Sequence, residues 1–177
     1  METADIAALA AIYAELPALP PLGWPAVHAF EQAHSVVLPE PYRTFVATVT
    51  AGGRKCGPPE YGLCPPGEPP ADCPSFGRIR LDLPFPLSSE WTWEDGETRE
   101  GVEVDDVYTR GILPLGTDGC AMYWVLVVTG ELRGHIWMVC DAGAAPFGRE
   151  FGGTTADSGF RGWVEHWHAG EDWWDTD

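Results

Sequence analysis

The side chains able to do chemistry here are five cysteines, five histidines and 27 carboxylates, and their spacing decides what they can do together. Cys56, Cys64 and Cys73 lie in a proline-rich stretch with seven and eight residues between them. Structural zinc sites favour closely spaced cysteine pairs and need a fourth ligand, which this spacing does not supply. Free thiols are the expectation, and a zinc-stapled loop serving a metal-dependent enzyme is the alternative. His166 and His168 are two apart on an expected helix, so they point to different faces and cannot chelate as a pair four apart would. Both are expected to be solvated. Ser158 sits in Ala-Asp-Ser-Gly-Phe without the first glycine of a hydrolase elbow, and a helix cap accounts for it. The only lysine, Lys55, lies in Gly-Gly-Arg-Lys-Cys, which is no phosphate-binding loop. No cysteine carries a local nucleophile signature. The sequence therefore assigns no catalytic residue, no metal ligand and no cofactor.

The carboxylates point elsewhere. Residues 90–106 hold eight acids against one base, Arg99, around Trp91 and Trp93. Acids crowded this way read as hydrated surface rather than as a general acid and base in a cleft. Aromatic anchors with a charged rim suit a protein interface. The candidate partner-binding residues are Glu90, Trp91, Trp93, Glu94, Asp95, Glu97, Glu100, Glu103, Asp105 and Asp106. A second group, Glu171, Asp172, Trp173 and Trp174, lies in the acidic aromatic tail over 171–177. Up to Ser88 the chain has nine acids and five bases, net −4; beyond it, eighteen acids and five bases, net −13.

The whole chain has 177 residues, a formal charge of −17 and a pI near 4.4. Such a charge opposes binding to nucleic acid or to an anionic membrane. The longest strong apolar run, 122–128, is strand-sized and far short of a bilayer span. The first residues do not read as a secretory signal, and the odd cysteine count argues against a disulfide framework. A cytoplasmic location is expected, as a monomer or weak dimer.

The elements that must position these residues follow from periodicity. Ile6, Leu9, Tyr13 and Leu16 predict an amphipathic first helix, with Thr3 or Asp5 as cap, ended by Pro17, Pro20 and Pro21. A second helix begins near Trp24 and Pro25 and runs through Val27, Phe30 and Glu31. A third follows Leu38-Pro39-Glu40-Pro41, with Tyr42, Phe45, Val46 and Val49 on one face and Gly52-Gly53 as its stop. Residues 52–86 contain six glycines and nine prolines and predict a long loop, apart from a short alternating run at Ile79, Leu81 and Leu83. Residues 111–116, 121–129 and 135–140 predict an antiparallel meander. Asp157 or Ser158 would cap a last helix presenting Phe160, Trp163, Val164 and Trp167, stopped by Gly170. Trp124 and Trp137 are expected in the core with Trp163 and Trp167. The order predicts one α+β domain over 1–177, its N-terminal helices and C-terminal helix packed beside one mainly antiparallel sheet.

In that order the chain resembles the SUKH superfamily, which includes the yeast cell-wall-synthesis regulator linked to killer-toxin resistance and bacterial toxin-immunity proteins. The resemblance rests on Trp24, Phe30 and Glu31, then on Leu38-Pro39-Glu40-Pro41-Tyr42-Arg43-Thr44-Phe45 and Gly52-Gly53. It continues through Gly111-Ile112-Leu113-Pro114-Leu115-Gly116-Thr117-Asp118-Gly119, the strand from Trp124 to Val128, Gly130, Gly134 and Trp137. Phe160, Trp163 and Trp167 close it. Residues 54–110 depart from the family pattern. The resemblance implies an α+β fold without catalytic residues, working by binding a cognate protein toxin, often a nuclease or deaminase. A regulatory scaffold like the yeast relatives is the alternative it implies.

Overall fold

The computed structural model describes residues 2–73, 78–152 and 154–173. Along the chain run α1 (Glu2–Tyr13), α2 (Trp24–His34), α3 (Tyr42–Thr48), β1 (Gly53–Arg54), β2 (Gly62–Leu63), β3 (Trp91–Thr92) and α4 (Val104–Thr109). Then come β4 (Ile112–Gly119), β5 (Met122–Val127), β6 (Ile136–Val139), β7 (Gly143–Pro146), a 3-10 turn (Arg149–Phe151) and α5 (Phe160–Ala169). Strands β3 to β7 form one antiparallel sheet in the order β3-β7-β6-β5-β4, and β1 pairs with β2. The fold is α+β, with helices beside the sheet.

The run 123–128 has no polar residue to turn toward water, and the sheet buries both of its faces. Trp124, Leu126 and Val128 face Leu9, Val27, Tyr42, Phe45, Phe160 and Trp163 of the helices. Tyr123, Val125 and Val127 face a second core with Phe85, Leu87, Trp91, Val107 and Trp137. In β6, Ile136 joins the first core and Trp137 the second, so the alternation continues across the β5–β6 register of Val125 on Trp137.

Residues 52–86 are not simply a loop. Their β1–β2 hairpin lies along the outer edge of β4, where the Cys64 amide donates to Leu115 O at 2.7 Å. The Glu60 amide donates to Asp118 Oδ1 at 2.7 Å, and the other oxygen of Asp118 accepts from Trp124 Nε1 at 2.6 Å. The Cys64 bond, with that of the Tyr61 amide to Thr117 O at 3.4 Å, covers backbone carbonyls that the edge would otherwise leave unpaired. Gly52-Gly53 does not stop α3, which ends at Thr48. Gly52 instead serves the hairpin: at φ +107° a Cβ there would lie 2.3 Å from Leu63 O.

Three further expectations are corrected. Residues 90–106 are not hydrated surface throughout, because Trp91, in β3, is buried in the second core beside Val107. Helix α5 begins after Gly159, not after a capping Asp157 or Ser158, although Gly170 closes it at φ +72° as expected. Trp167 is only half-buried, because the buried face of α5 runs through Phe160, Trp163, Val164 and His166.

Helices α2 and α3 are clasped by one carboxylate. Glu31 accepts from the Leu38 amide at 2.9 Å, Arg43 Nε at 2.7 Å and Arg43 Nη2 at 3.0 Å. Arg43 also lies over the Trp24 ring, 5.1 Å from its centroid. The Arg43 hydrogen bonds, helped by the Leu38 amide, outweigh burial and hold the Glu31 carboxyl below its ordinary 4.5. A carboxyl lowered on folding stabilises above its unfolded pKa and loses that contribution as pH falls through the folded one. Glu31→Gln is expected to destabilise by about 1–3 kcal/mol at pH 7, since half-buried Arg43 loses its closest carboxylate and Glu40 contacts it only at 3.8 Å. Urea unfolding of both forms should show the gap closing below about pH 4.5; a gap independent of pH would refute the assignment.

Candidate protein-binding surface

The acidic residues of 90–106 are held by an aromatic and arginine framework. Trp91 enters the second core, 3% exposed, and its indole N–H donates to Glu97 O at 3.2 Å. Trp93 stands edge-on to it with ring centroids 5.3 Å apart and donates to Asp141 O at 2.5 Å. Arg99 crosses the Trp91 ring, 5.8 Å from its centroid, and donates to Ser89 Oγ at 3.0 Å and to the Glu90 carbonyl. The chain between β3 and α4 is thereby folded back on itself. Helix α4 starts in a capping box, where the Glu103 amide donates to Asp106 Oδ2 at 3.2 Å.

This framework turns the carboxylates outward. Glu90, Glu94, Asp95, Glu97, Glu100, Glu103 and Asp105 are exposed, and Asp106 is half-buried. Two of these have cationic neighbours: Asp105 pairs with Arg78 at 2.9 Å and Asp106 with Arg110 at 3.6 Å. Trp91 is no exposed anchor, because its ring is spent on the core. Half-buried Trp93 is the aromatic side chain that remains near the rim.

The tail group sits elsewhere. Trp173 packs on the helix-side core, stacked on Trp163 at 5.9 Å and on His166 at 5.7 Å, with Trp124 at 4.7 Å. The strip covers the opposite face of the sheet, so the two groups do not form one surface. Glu171 and Asp172 are exposed, and Trp174 lies outside the described residues. His166 is buried, not solvated: its Nδ1 is 3.1 Å from Glu171 Oε2 and its Nε2 is 2.6 Å from Asp172 O. His168 is exposed as expected. Helical spacing alone did not reveal the role of His166, because its partners arrive from the 154 loop and from beyond the helix.

All five cysteines are free thiols, and burial governs those of the proline-rich stretch. Burial pushes the Cys56 thiol up, and burial with Glu68 and Asp72 nearby pushes Cys64 up to about 11. Thiols so raised are poor nucleophiles and poor metal ligands. Among the described residues no group of three or more His, Cys, Asp or Glu is placed to hold a metal ion. Ser158 is not a cap; its hydroxyl donates to Glu150 Oε1, the same oxygen that lies 3.5 Å from His135 Nε2. Burial tends to raise the Glu150 carboxyl, but the Ser158 hydroxyl, its own backbone amide, His135 and Arg149 together hold it below its usual range. The serine is thus bonded to a weak base rather than to an imidazole, which is not the arrangement of an activated nucleophile.

No protein-family model, curated protein or solved structure matches this chain. No helix among the described residues is long and apolar enough to cross a membrane.

The different roles of the two aromatic groups are separable by stability. Trp173→Ala is expected to destabilise by about 1–3 kcal/mol, through lost burial and ring contacts. Glu94→Lys, on the exposed strip, should change stability by less than about 0.5 kcal/mol. Chemical denaturation of both variants checks this, and equal losses would contradict the placement of Trp173.

Proposed function

We propose that this chain is a non-catalytic protein-binding domain, and specifically a cytoplasmic immunity protein that sequesters a cationic, nuclease-like toxin. The observation that supports the reading is the strip over 90–106, where seven exposed carboxylates stand on a folded framework. A surface of this kind attracts a basic protein and speeds its encounter, while Trp93 offers apolar contact beside the charges. The SUKH resemblance supports the same reading from other residues, because its bacterial members cover the active face of a toxin. A cofactor has no part in it.

The reading is tested by recovering the partner and measuring its association. The tagged protein is used to capture partners at low and moderate salt, and a basic toxin encoded beside it is the expected product. On that partner, Glu94→Lys, Asp95→Lys and Glu97→Lys combined should slow association by about tenfold at low salt, with the difference shrinking as salt is added. Dissociation should change little. An unchanged association rate would remove the strip from the interface, and stoichiometric capture of cell-envelope regulators instead of a toxin would replace immunity by the scaffold alternative.

A further inference from the structure

Two of the free thiols, Cys73 and Cys140, are half-buried at one corner of the sheet. Cys73 belongs to the proline-rich stretch, and Cys140 directly follows β6. Two tyrosines join these segments. The Tyr123 hydroxyl donates to Asp72 O at 3.1 Å and is in hydrogen-bond contact with the Cys73 side chain. The same tyrosine pairs in register with Val139, the residue before Cys140. The Tyr108 hydroxyl donates to Cys140 O at 2.6 Å, and Tyr108 and Cys73 pack against the same second core. Burial, then the Cys140 and Cys73 thiols, with smaller contributions from Asp141 and Tyr123, push the Tyr108 phenol up. Both sulfurs therefore act on one hydroxyl.

The other thiols are less suited to pairing here. Cys56 is fully buried, and Cys120 is exposed between β4 and β5. Cys64 also lies near Asp72, but burial with Glu68 and Asp72 keeps it protonated, which makes it the poorer attacking thiol. The corner is also the base of the acidic strip. Trp93 donates to Asp141 O at 2.5 Å, beside Cys140, and its ring centroid is 6.1 Å from that of Tyr108.

We propose that Cys73 and Cys140 form a reversible disulfide, a redox modification site that ties the proline-rich stretch to the base of the strip. The oxidant is glutathione disulfide. One cysteine thiolate attacks a sulfur of that molecule, forms a mixed disulfide and releases the first glutathione. The other cysteine thiolate then attacks the protein sulfur, forms the Cys73–Cys140 bond and expels the second glutathione. The protein loses two electrons and two protons, and the two glutathione thiols carry them away. Inside cells such bonds are mostly transient and redox-sensing rather than structural. The inference does not depend on what the strip binds, because the bridge forms within one chain.

The test incubates the full reduced chain with glutathione disulfide and maps its peptides by mass spectrometry without reduction. Cys73 joined to Cys140 is the expected product, in a chain lighter by two hydrogen atoms and restored by dithiothreitol. Cys73→Ser and Cys140→Ser should each abolish the bridge and leave glutathione on the remaining partner, while unfolding in urea like the reduced wild type. Cys120→Ser should leave the bridge intact. Because the fold holds the two segments together, the bridge should form about tenfold faster, or more, in the folded chain than in the urea-unfolded one. No bridge, a bridge from Cys73 to Cys64, or equal rates in the folded and unfolded chain would overturn the proposal.

Discussion

Strand β5 places Trp124 and Leu126 against the helices and Tyr123, Val125 and Val127 against a second core, so the central hairpin needs a cover on both sides. An antiparallel sheet commonly leaves one face to water, but here the residues of 123–128 leave no face that water could solvate. Helices α1, α2, α3 and α5 supply one cover. The other is assembled from Phe85, Leu87, Trp91 and Val107, drawn from a part of the chain too rich in proline and acid to form long elements. The strip over 90–106 is ordered because its apolar residues are claimed by this core, and its acids face outward because nothing else in the segment can.

Local pairing decides how charge is distributed over this frame. Arg43, Arg78, Arg80, Arg110, Arg149 and Arg161, six of the ten bases, lie beside carboxylates of the same chain. With so many cations already engaged, the excess acids set the outer field, and that field is strongest in the second half of the sequence. A protein arranged in this way meets cationic partners readily and keeps polyanions away. The same pairing stiffens the joints between elements, as Glu31 shows by holding both the Leu38 amide and Arg43.

The two acidic regions differ in what stands behind them. The strip rests on Trp91, Trp93 and Arg99 and presents seven exposed carboxylates. The region around Glu171 rests on buried His166, which in turn stacks on Trp173. Their positions on opposite faces of the sheet mean that a single partner would engage one of them directly and feel the other through its field, unless it wraps around the domain.

Periodicity was enough to locate α1, α2, the meander of β4, β5 and β6, and α5 with its Gly170 stop, because each carries its own apolar repeat and its own terminating residue. The charge asymmetry and the absence of a phosphate loop or hydrolase elbow were equally legible, since these depend only on residue types and short spacings. Tertiary structure alone decided the rest. Trp91 and Trp93 are two residues apart in the same acidic context and both pack on the second core, yet Trp91 is buried because it pairs through β3 with Ala144 of β7, whereas Trp93 lies past the end of β3 and is only partly covered. His166 is buried rather than solvated because Thr154 and Asp172 close over it, and the Ser158 hydroxyl bonds Glu150 instead of capping α5. Burial on a second face and contacts between distant segments leave no local pattern in the chain, since they depend on which elements happen to cover one another once the central sheet has formed.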